Sequence, residues 1–187
     1  MFNLLIIGKY SSFSIIKSVI KVIEDNTIIN SRIIVKKGDA VPASPLIAMH
    51  EKNMKGDLCD MLWEVVTMDQ DAPLVIASTR GFLYYPEIMK KFDSPASLSL
   101  ICSESTFASF KLDNERRLYE SSALTASTPY LVRFNRTSDF TDVAKALILQ
   151  RKCEEDGNFE LHTLINQFIL SGTDIEVEIA DFRKSVL

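Results

Sequence analysis

The segment DAPLVIASTRGFL, residues 71–83, decides the fold predicted for this chain. A proline-led entrance feeds four apolar residues, Leu74 to Ala77, and the run stops at the turn-forming residues Ser78 to Gly81. A short apolar run between turn formers is typical of a strand buried on both faces. In α/β folds the ends of such strands carry the binding sites. We therefore predict a buried strand whose polar end holds candidate site residues.

Strand patterns alternate with helix patterns along the rest of the chain. Further strands are predicted at 2–8, 28–36, 96–102, 124–128, 130–134, 159–165 and 175–179, and helices at 13–25, 58–66, 86–92 and 140–148, the last capped by Ser138. Residues 40–54 contain two prolines and no sustained periodicity, which predicts an irregular segment. Residues 111–120 form a charged run, which predicts an exposed excursion. The pattern predicts an α/β fold, a layered mixed sheet covered by helices.

Length and composition favour one globular domain over residues 1–187. Hydrophobic content of 47% with 25% charged residues excludes a disordered class. A net charge of −4 disfavours nucleic acid and anionic membranes as partners. The amino-terminal apolar stretch is too short for a secretory signal, and no run reaches the roughly 18 apolar residues of a membrane span. We therefore predict a cytoplasmic protein.

Cysteines and histidines supply no readable catalytic or metal site. Cys59, Cys102 and Cys153 are widely spaced and odd in number, which predicts reduced, unpaired thiols. Cys102 ends an apolar strand and is interpreted as inert core. His50 is interpreted as solvated, and His162 as a surface or hydrogen-bonded residue. We predict no metal, no cofactor and no assembled catalytic set.

Two segments are candidate binding sites for an anion. Lys9, Ser11 and Ser12 lie between the first strand and its helix, where backbone N–H groups and hydroxyls can hold a phosphate. The spacing matches neither a P-loop nor a dinucleotide fingerprint, so a plain capped turn is the alternative. The second candidate is formed by Ser78, Thr79 and Arg80, whose guanidinium can bind a phosphate in bidentate fashion. The alternative there is a structural turn in which the arginine pairs with a local acid.

Several segments together resemble the amino-terminal half of β-ketoacyl synthase-like proteins, which have a thiolase fold. The resemblance lies in the order of residues 41–46, the helix at 58–66, the segment DAPLVIASTRGFL, residues 86–89 and residues 93–100. It covers roughly residues 41–101. No cysteine stands in the segment 122–127, where the family's nucleophile would align. The resemblance implies a catalytically inactive subunit acting in fatty-acid or polyketide biosynthesis.

Three hypotheses about function follow. The resemblance implies association with a ketosynthase-like subunit or an acyl carrier protein, or a homodimer. The competing hypothesis is a doubly wound small-molecule enzyme or binder, with Lys9, Ser11, Ser12 and Arg80 clustered around a phosphorylated ligand. An interaction protein of unrelated α/β fold is the third. A parallel strand order 2-1-3-4 with a cleft above Ser12 would favour the second hypothesis, and a thiolase order would favour the first.

Overall fold

A seven-stranded mixed sheet forms the middle layer of the protein. The computed structural model describes residues 2–9, 11–26, 30–51, 56–84, 96–102, 110–112, 118–121, 130–153 and 157–179. The strands are β1 (Asn3–Ile7), β2 (Ser31–Lys36), β3 (Ile47–His50), β4 (Leu74–Ser78), β5 (Leu98–Cys102), β6 (Phe110–Leu112), β7 (Leu118–Ser121), β8 (Leu131–Phe134) and β9 (Ile175–Ile179). Their order in the large sheet is β3-β2-β1-β4-β8-β5-β9, and β6 pairs with β7 separately. Among the described strands of the large sheet, β8 alone is antiparallel to its neighbours.

Five described helices flank this sheet. They are α1 (Phe13–Asp25), α2 (Gly56–Val65), α3 (Thr79–Tyr84), α4 (Thr137–Leu149) and α5 (Leu161–Leu170). The predicted α/β class, with helices covering a mixed sheet, is confirmed. In the part of the chain described, none of the helices has both the length and the apolar character needed to cross a lipid bilayer.

Alternate residues of β1 enter two separate cores. Leu4 and Ile6 pack with the apolar face of α1 and with Phe82 of α3. Leu5 belongs to the other core, to which α2, α4 and α5 contribute. Successive side chains of a strand point to opposite faces of a sheet, so an unbroken apolar strand supplies both layers.

The direction of chain progress reverses between β1 and β4. From β1 the chain moves outward to β2 and β3, and α2 then returns it to β4 on the other side of β1. The carboxyl ends of two adjacent parallel strands at such a reversal form a crevice. The neighbouring strands β2, β1 and β4 are arranged like the first three strands of the parallel order 2-1-3-4. The order differs after them, because the antiparallel strand β8 lies between β4 and β5.

Several predicted elements agree with the structure. Strand β4 is buried from Leu74 to Ala77, as the opening segment requires. Helix α1 begins after Ser12, whose side chain accepts a hydrogen bond from the N–H of Ile15. Strand β9 lies at the edge of the sheet and buries Ile175 and Val177.

Two predicted elements are wrong. The strand expected at 159–165 is the start of α5, where apolar residues at Leu161, Leu164, Ile165 and Phe168 follow the period of a helix. The irregular segment 40–54 contains β3, because pairing with β2 orders a stretch that has no local periodicity. The helical period of α5 becomes clear only when the pattern is followed beyond residue 165 to Phe168. The order of β3 depends on its partner strand β2, which the local sequence does not show.

Smaller corrections concern element ends. The turn expected at Ser78 to Gly81 is the end of β4 followed by α3. The helix expected to be capped by Ser138 begins at Thr137, with Arg136 as its N-cap. The charged run 111–120 includes parts of the β6–β7 pair. The predicted helix at 86–92 and the predicted strand at 124–128 lie outside the described residues.

Candidate anion-binding pocket

A pocket of about 300 Å³ opens at the carboxyl ends of β1 and β4. Its lining residues come from the ends of these two strands, the segment after β1, helices α2, α3 and α5, and the residue before β8. They are Ile7, Lys9, Ser11, Asp57, Met61, Ile76, Ala77, Ser78, Thr79, Arg80, Tyr130 and Leu161. The pocket therefore lies where the chain reverses direction across the sheet, the usual position of a ligand in an open α/β fold.

Hydroxyl groups connect the two strand ends at the pocket. Ser11 Oγ lies 2.9 Å from Thr79 Oγ1, which joins the segment after β1 to the first turn of α3. The hydroxyl of Ser78 accepts the N–H of Gly81 at 3.0 Å and donates to the carbonyl of Tyr130 at 3.4 Å. Ser78 is therefore occupied in holding α3 and β8 against β4, while Ser11 and Thr79 form a pair that lines the pocket.

Lys9 contacts two carboxylates of α2. Its Nζ lies 2.7 Å from Asp57 Oδ1 and also donates to Asp60 Oδ2. Burial lowers the pKa of Lys9, but hydrogen bonds and charge attraction from the two aspartates outweigh it, so the pKa is raised above 10.5. The ammonium group is therefore fully protonated at neutral pH.

Arg80 supplies the second cation of the pocket. It is exposed on the first turn of α3, and no hydrogen bond or ion pair ties its guanidinium to another described residue. The pocket thus has one paired cation, Lys9, and one cation that is available to a ligand. A planar guanidinium suits bidentate contact with a phosphate or carboxylate.

A series of charged and polar side chains lies behind Lys9, and its members Asp60 and His50 are buried. Asp60 Oδ1 is 3.6 Å from His50 Nδ1, and His50 Nε2 is 2.8 Å from Glu64 Oε1. Glu64 in turn lies 3.8 Å from Arg32 Nε on β2. His50 is buried, so its interpretation as a solvated residue is wrong. In the sheet His50 pairs with Lys36 of β2, and its two ring nitrogens lie near carboxylates of α2.

The sequence analysis does not identify the three acids of α2, although their spacing carries a signal. Asp57, Asp60 and Glu64 are spaced by three and four residues, which puts them on one face of a helix. That face lies beside the apolar stripe of α2, so partial burial of the carboxylates follows. Nothing local to α2 indicates that Lys9 is the partner of Asp57 and Asp60, because Lys9 lies 48 residues from Asp57.

The pocket brings together most of the residues proposed from the sequence. Lys9, Ser11, Ser78, Thr79 and Arg80 all line it. Ser12 is not among the lining residues, and its side chain caps α1. The two candidate segments therefore belong to one pocket. Ser12, which does not line the pocket, has a structural role instead.

The cysteines take no visible part in the pocket. Cys102 is buried at the end of β5, and burial raises the pKa of its thiol to about 12. Cys153 is exposed after α4, and none of the three cysteines forms a disulfide. Within the described ranges, no group of three or more histidine, cysteine, aspartate or glutamate side chains is arranged to hold a metal ion.

Solved structures of nucleotidyltransferase type share this fold. A nucleoside-diphosphate-sugar pyrophosphorylase from Vibrio cholerae superposes with a TM-score of 0.60 at 12% identity, covering 94% of this chain and 91% of its own. An inositol-1-phosphate CTP transferase from T. maritima gives a TM-score of 0.58 at 8% identity, with 96% and 85% covered. A putative glucose-1-phosphate thymidylyltransferase from Bacillus anthracis gives 0.57 at 9% identity, with 97% and 87% covered. No protein family model matches the sequence, and no curated protein does.

The chain thus shares the fold of these solved structures, and the resemblance to β-ketoacyl synthase-like proteins is wrong. The short sequence similarities came from a strand, helix and strand succession that many α/β proteins share. The inferred role as an inactive ketosynthase subunit in fatty-acid or polyketide biosynthesis falls with it. A protein partner or a homodimer, and the absence of nucleic-acid and membrane partners, stay predictions from the sequence.

Proposed function

We propose that this protein binds a phosphorylated small molecule of the nucleotide or nucleotide-sugar class in the pocket above β1 and β4. The observation that carries the proposal is the convergence of Lys9, Ser11, Thr79 and Arg80 on one pocket at the reversal point of the sheet. Cations and hydroxyls together are the side chains that bind phosphate oxygens. Their position is the one that ligands take in open α/β sheets.

The rest of the lining suits the uncharged part of such a ligand. The apolar residues Ile7, Met61, Ile76 and Leu161 line the same pocket, together with the aromatic residue Tyr130. A volume of about 300 Å³ is at the lower end of the range for small-molecule pockets. The pocket therefore accommodates a compact ligand that has an anionic end and an apolar or aromatic face.

The structural neighbours support the ligand class. Their names describe a nucleoside-diphosphate-sugar pyrophosphorylase, a CTP transferase and a thymidylyltransferase, whose common element is a nucleotide. The similarity extends over 94% or more of this chain in each of these three comparisons. We propose the same ligand class here, with nucleotidyl transfer as the reaction to assay.

The test is a binding screen by isothermal titration calorimetry. The probes are ATP, CTP, GTP, UTP, dTTP and UDP-glucose, each with and without MgCl2, and glucose 1-phosphate. We expect at least one probe to bind wild-type protein, and Arg80→Ala to weaken that binding about tenfold or more, because a charged hydrogen bond contributes roughly 1.5–3 kcal/mol. Pyrophosphate release on mixing a bound nucleotide with glucose 1-phosphate would show transfer in addition to binding.

Two variants control for general effects of charge and folding. Lys145→Ala removes an exposed cation of α4 that does not line the pocket, and we expect it to bind as wild type does. Arg80→Lys keeps the charge but loses bidentate geometry, so intermediate affinity is expected. If no phosphorylated probe binds, or if Arg80→Ala binds as tightly as wild type, the proposed function is wrong.

A further inference from the structure

We propose that Asp57 is a competing anion within the pocket, and that a phosphorylated ligand binds Lys9 by displacing Asp57 while Asp60 keeps its contact. This inference rests on the proposed function, since it concerns how the same pocket admits a phosphate. The observation behind it is that the ammonium group of Lys9 contacts two carboxylates that differ in burial and in access to the pocket.

Burial separates the two aspartates. The side chain of Asp60 is 2% exposed, whereas that of Asp57 is 36% exposed. Removing the cation from a buried carboxylate leaves a charge that water cannot reach, which is strongly unfavourable. A carboxylate at the surface gains hydration when it leaves its partner, and exposed pairs of this kind are weak. Asp57 is therefore the partner that can exchange.

The positions of the two aspartates relative to the pocket also identify Asp57 as the partner that can exchange. Asp57 lines the pocket, and Asp60 does not. Asp60 faces inward instead, toward His50 and the acids and bases behind it. An anion entering the pocket meets the side of Lys9 that Asp57 occupies, so ligand and Asp57 compete for one cation.

The local structure stabilises Asp57 after displacement. It lies in the first turn of α2, where the helix dipole favours a negative side chain. Asp57 and Asp60 raise the pKa of Lys9, and an anion that replaces Asp57 favours the charged form of Lys9 in the same way. The exchange thus replaces one carboxylate by one phosphate without moving a proton.

The exchange has a consequence for selectivity. A ligand without a charged oxygen near Lys9 has to leave the ion pair intact and gains nothing from Lys9. A phosphate, with more charge and more acceptor oxygens than a carboxylate, gains enough to displace it. Asp57 therefore selects for a ligand that carries a strong anionic group at this position.

Asp57→Asn tests the proposal, with inorganic pyrophosphate as the probe in calorimetric titrations at constant ionic strength. Removing the competing charge is expected to tighten pyrophosphate binding about two- to fivefold, the factor that corresponds to a partly exposed ion pair. Asp142→Asn is the matched control, since it removes one negative charge from an exposed site on α4 that does not line the pocket. We expect the control to bind pyrophosphate as wild type does.

The outcomes separate this inference from the proposed function. The inference is wrong if Asp57→Asn binds pyrophosphate as wild type does or more weakly. It is also wrong if neither protein binds pyrophosphate. A gain of the same size in Asp142→Asn also overturns it, because the effect would then come from net charge alone. If Asp57→Asn binds pyrophosphate more tightly while no nucleotide or sugar phosphate binds either protein, the competing anion is supported and the proposed ligand class is wrong.

Discussion

Ser11 and Thr79 are hydrogen-bonded to each other through their side chains, with 2.9 Å between the two hydroxyl oxygens. The pair joins the segment after β1 to the first turn of α3 at the mouth of the pocket. Because strands β1 and β4 are adjacent and parallel, their ends bring these two residues together from positions 68 residues apart. The contact is the direct link between the two candidate segments found in the sequence.

Thr79→Val is expected to weaken binding of the phosphorylated ligand about three- to tenfold. The substitution keeps the shape of the side chain but removes a hydroxyl, and one hydrogen bond contributes about 0.5–1.5 kcal/mol. Calorimetric titration of wild type and variant measures the change. Thr79→Ser retains the hydroxyl and should restore most of the affinity. Equal affinity in Thr79→Val and wild type would show that the hydroxyl pair takes no part in binding.

Gly81→Ala is expected to destabilise the protein by about 3 kcal/mol, the upper end of overpacking effects. A Cβ at this position would lie 2.2 Å from the carbonyl oxygen of Tyr130. That carbonyl accepts the N–H of Ser78 at 2.9 Å, so moving it away would disturb the junction of β4 and β8. The free energy of unfolding in urea provides the measurement.

Gly38→Ala is the control for this substitution. Gly38 has a φ of 93° and no atom within 4 Å of an added Cβ, so its cost is backbone strain alone, about 1 kcal/mol. A loss of stability in Gly81→Ala no larger than in Gly38→Ala would contradict the predicted clash.

Wild-type protein is expected to lose the stabilisation from Lys9 as the pH rises through the raised pKa of this residue, above 10.5. Below 10.5, Lys9 is protonated in the folded and the unfolded chain, so the stabilisation is fully present. At a pH above the folded-state pKa, Lys9 is neutral in both the folded and the unfolded chain, and the stabilisation is lost. Urea unfolding of wild type and Lys9→Met from pH 7 to 11.5 should give a constant difference up to about pH 10 and a smaller one above it.

Lys145→Met provides the comparison for this pH series. Lys145 is exposed on α4, so its substitution should change stability little, and by the same amount at every pH. A difference between wild type and Lys9→Met that stays constant up to pH 11.5 would contradict the contribution assigned to Lys9.

Cys102 is expected to resist thiol reagents in the folded protein. Its pKa of about 12 leaves almost no thiolate at pH 8, and its burial blocks access. Treatment with 5,5′-dithiobis(2-nitrobenzoic acid) should modify the exposed Cys153 rapidly and Cys102 only after unfolding. Peptide mapping in wild type and Cys153→Ser distinguishes the two. Rapid native-state modification of Cys102 would contradict its place in the core.

Sequence patterns predicted the elements that have a clear period of their own. The apolar run at Leu74 to Ala77 and the helical stripe of α1 depend on burial and on local spacing, and both were predicted correctly. The segment that forms β3 has no such pattern, since its order comes from pairing with β2. The start of α5 was misread because its first apolar residues fit a strand until Phe168 extends the helical period.

The residues of the candidate site likewise include some that local sequence predicts and others whose roles depend on tertiary structure. Lys9, Ser11, Thr79 and Arg80 could be proposed because polar residues directly follow buried strands. The roles of Asp57, Asp60 and His50 could not, because α2 and β3 acquire their partners only when the sheet is assembled. The family resemblance failed for a related reason, since a strand, helix and strand succession leaves the order of the strands open.

By itself the sequence determined that the chain forms a layered α/β protein and that polar residues end its first and fourth strands, because burial and periodicity are properties of neighbouring residues. Only the tertiary structure decided that these ends adjoin, that β8 is inserted in the sheet, and that Lys9 is shared by two acids of α2. The physical reason is that strand pairing and ion pairing join residues tens of positions apart. Their geometry follows from the packing of all layers together.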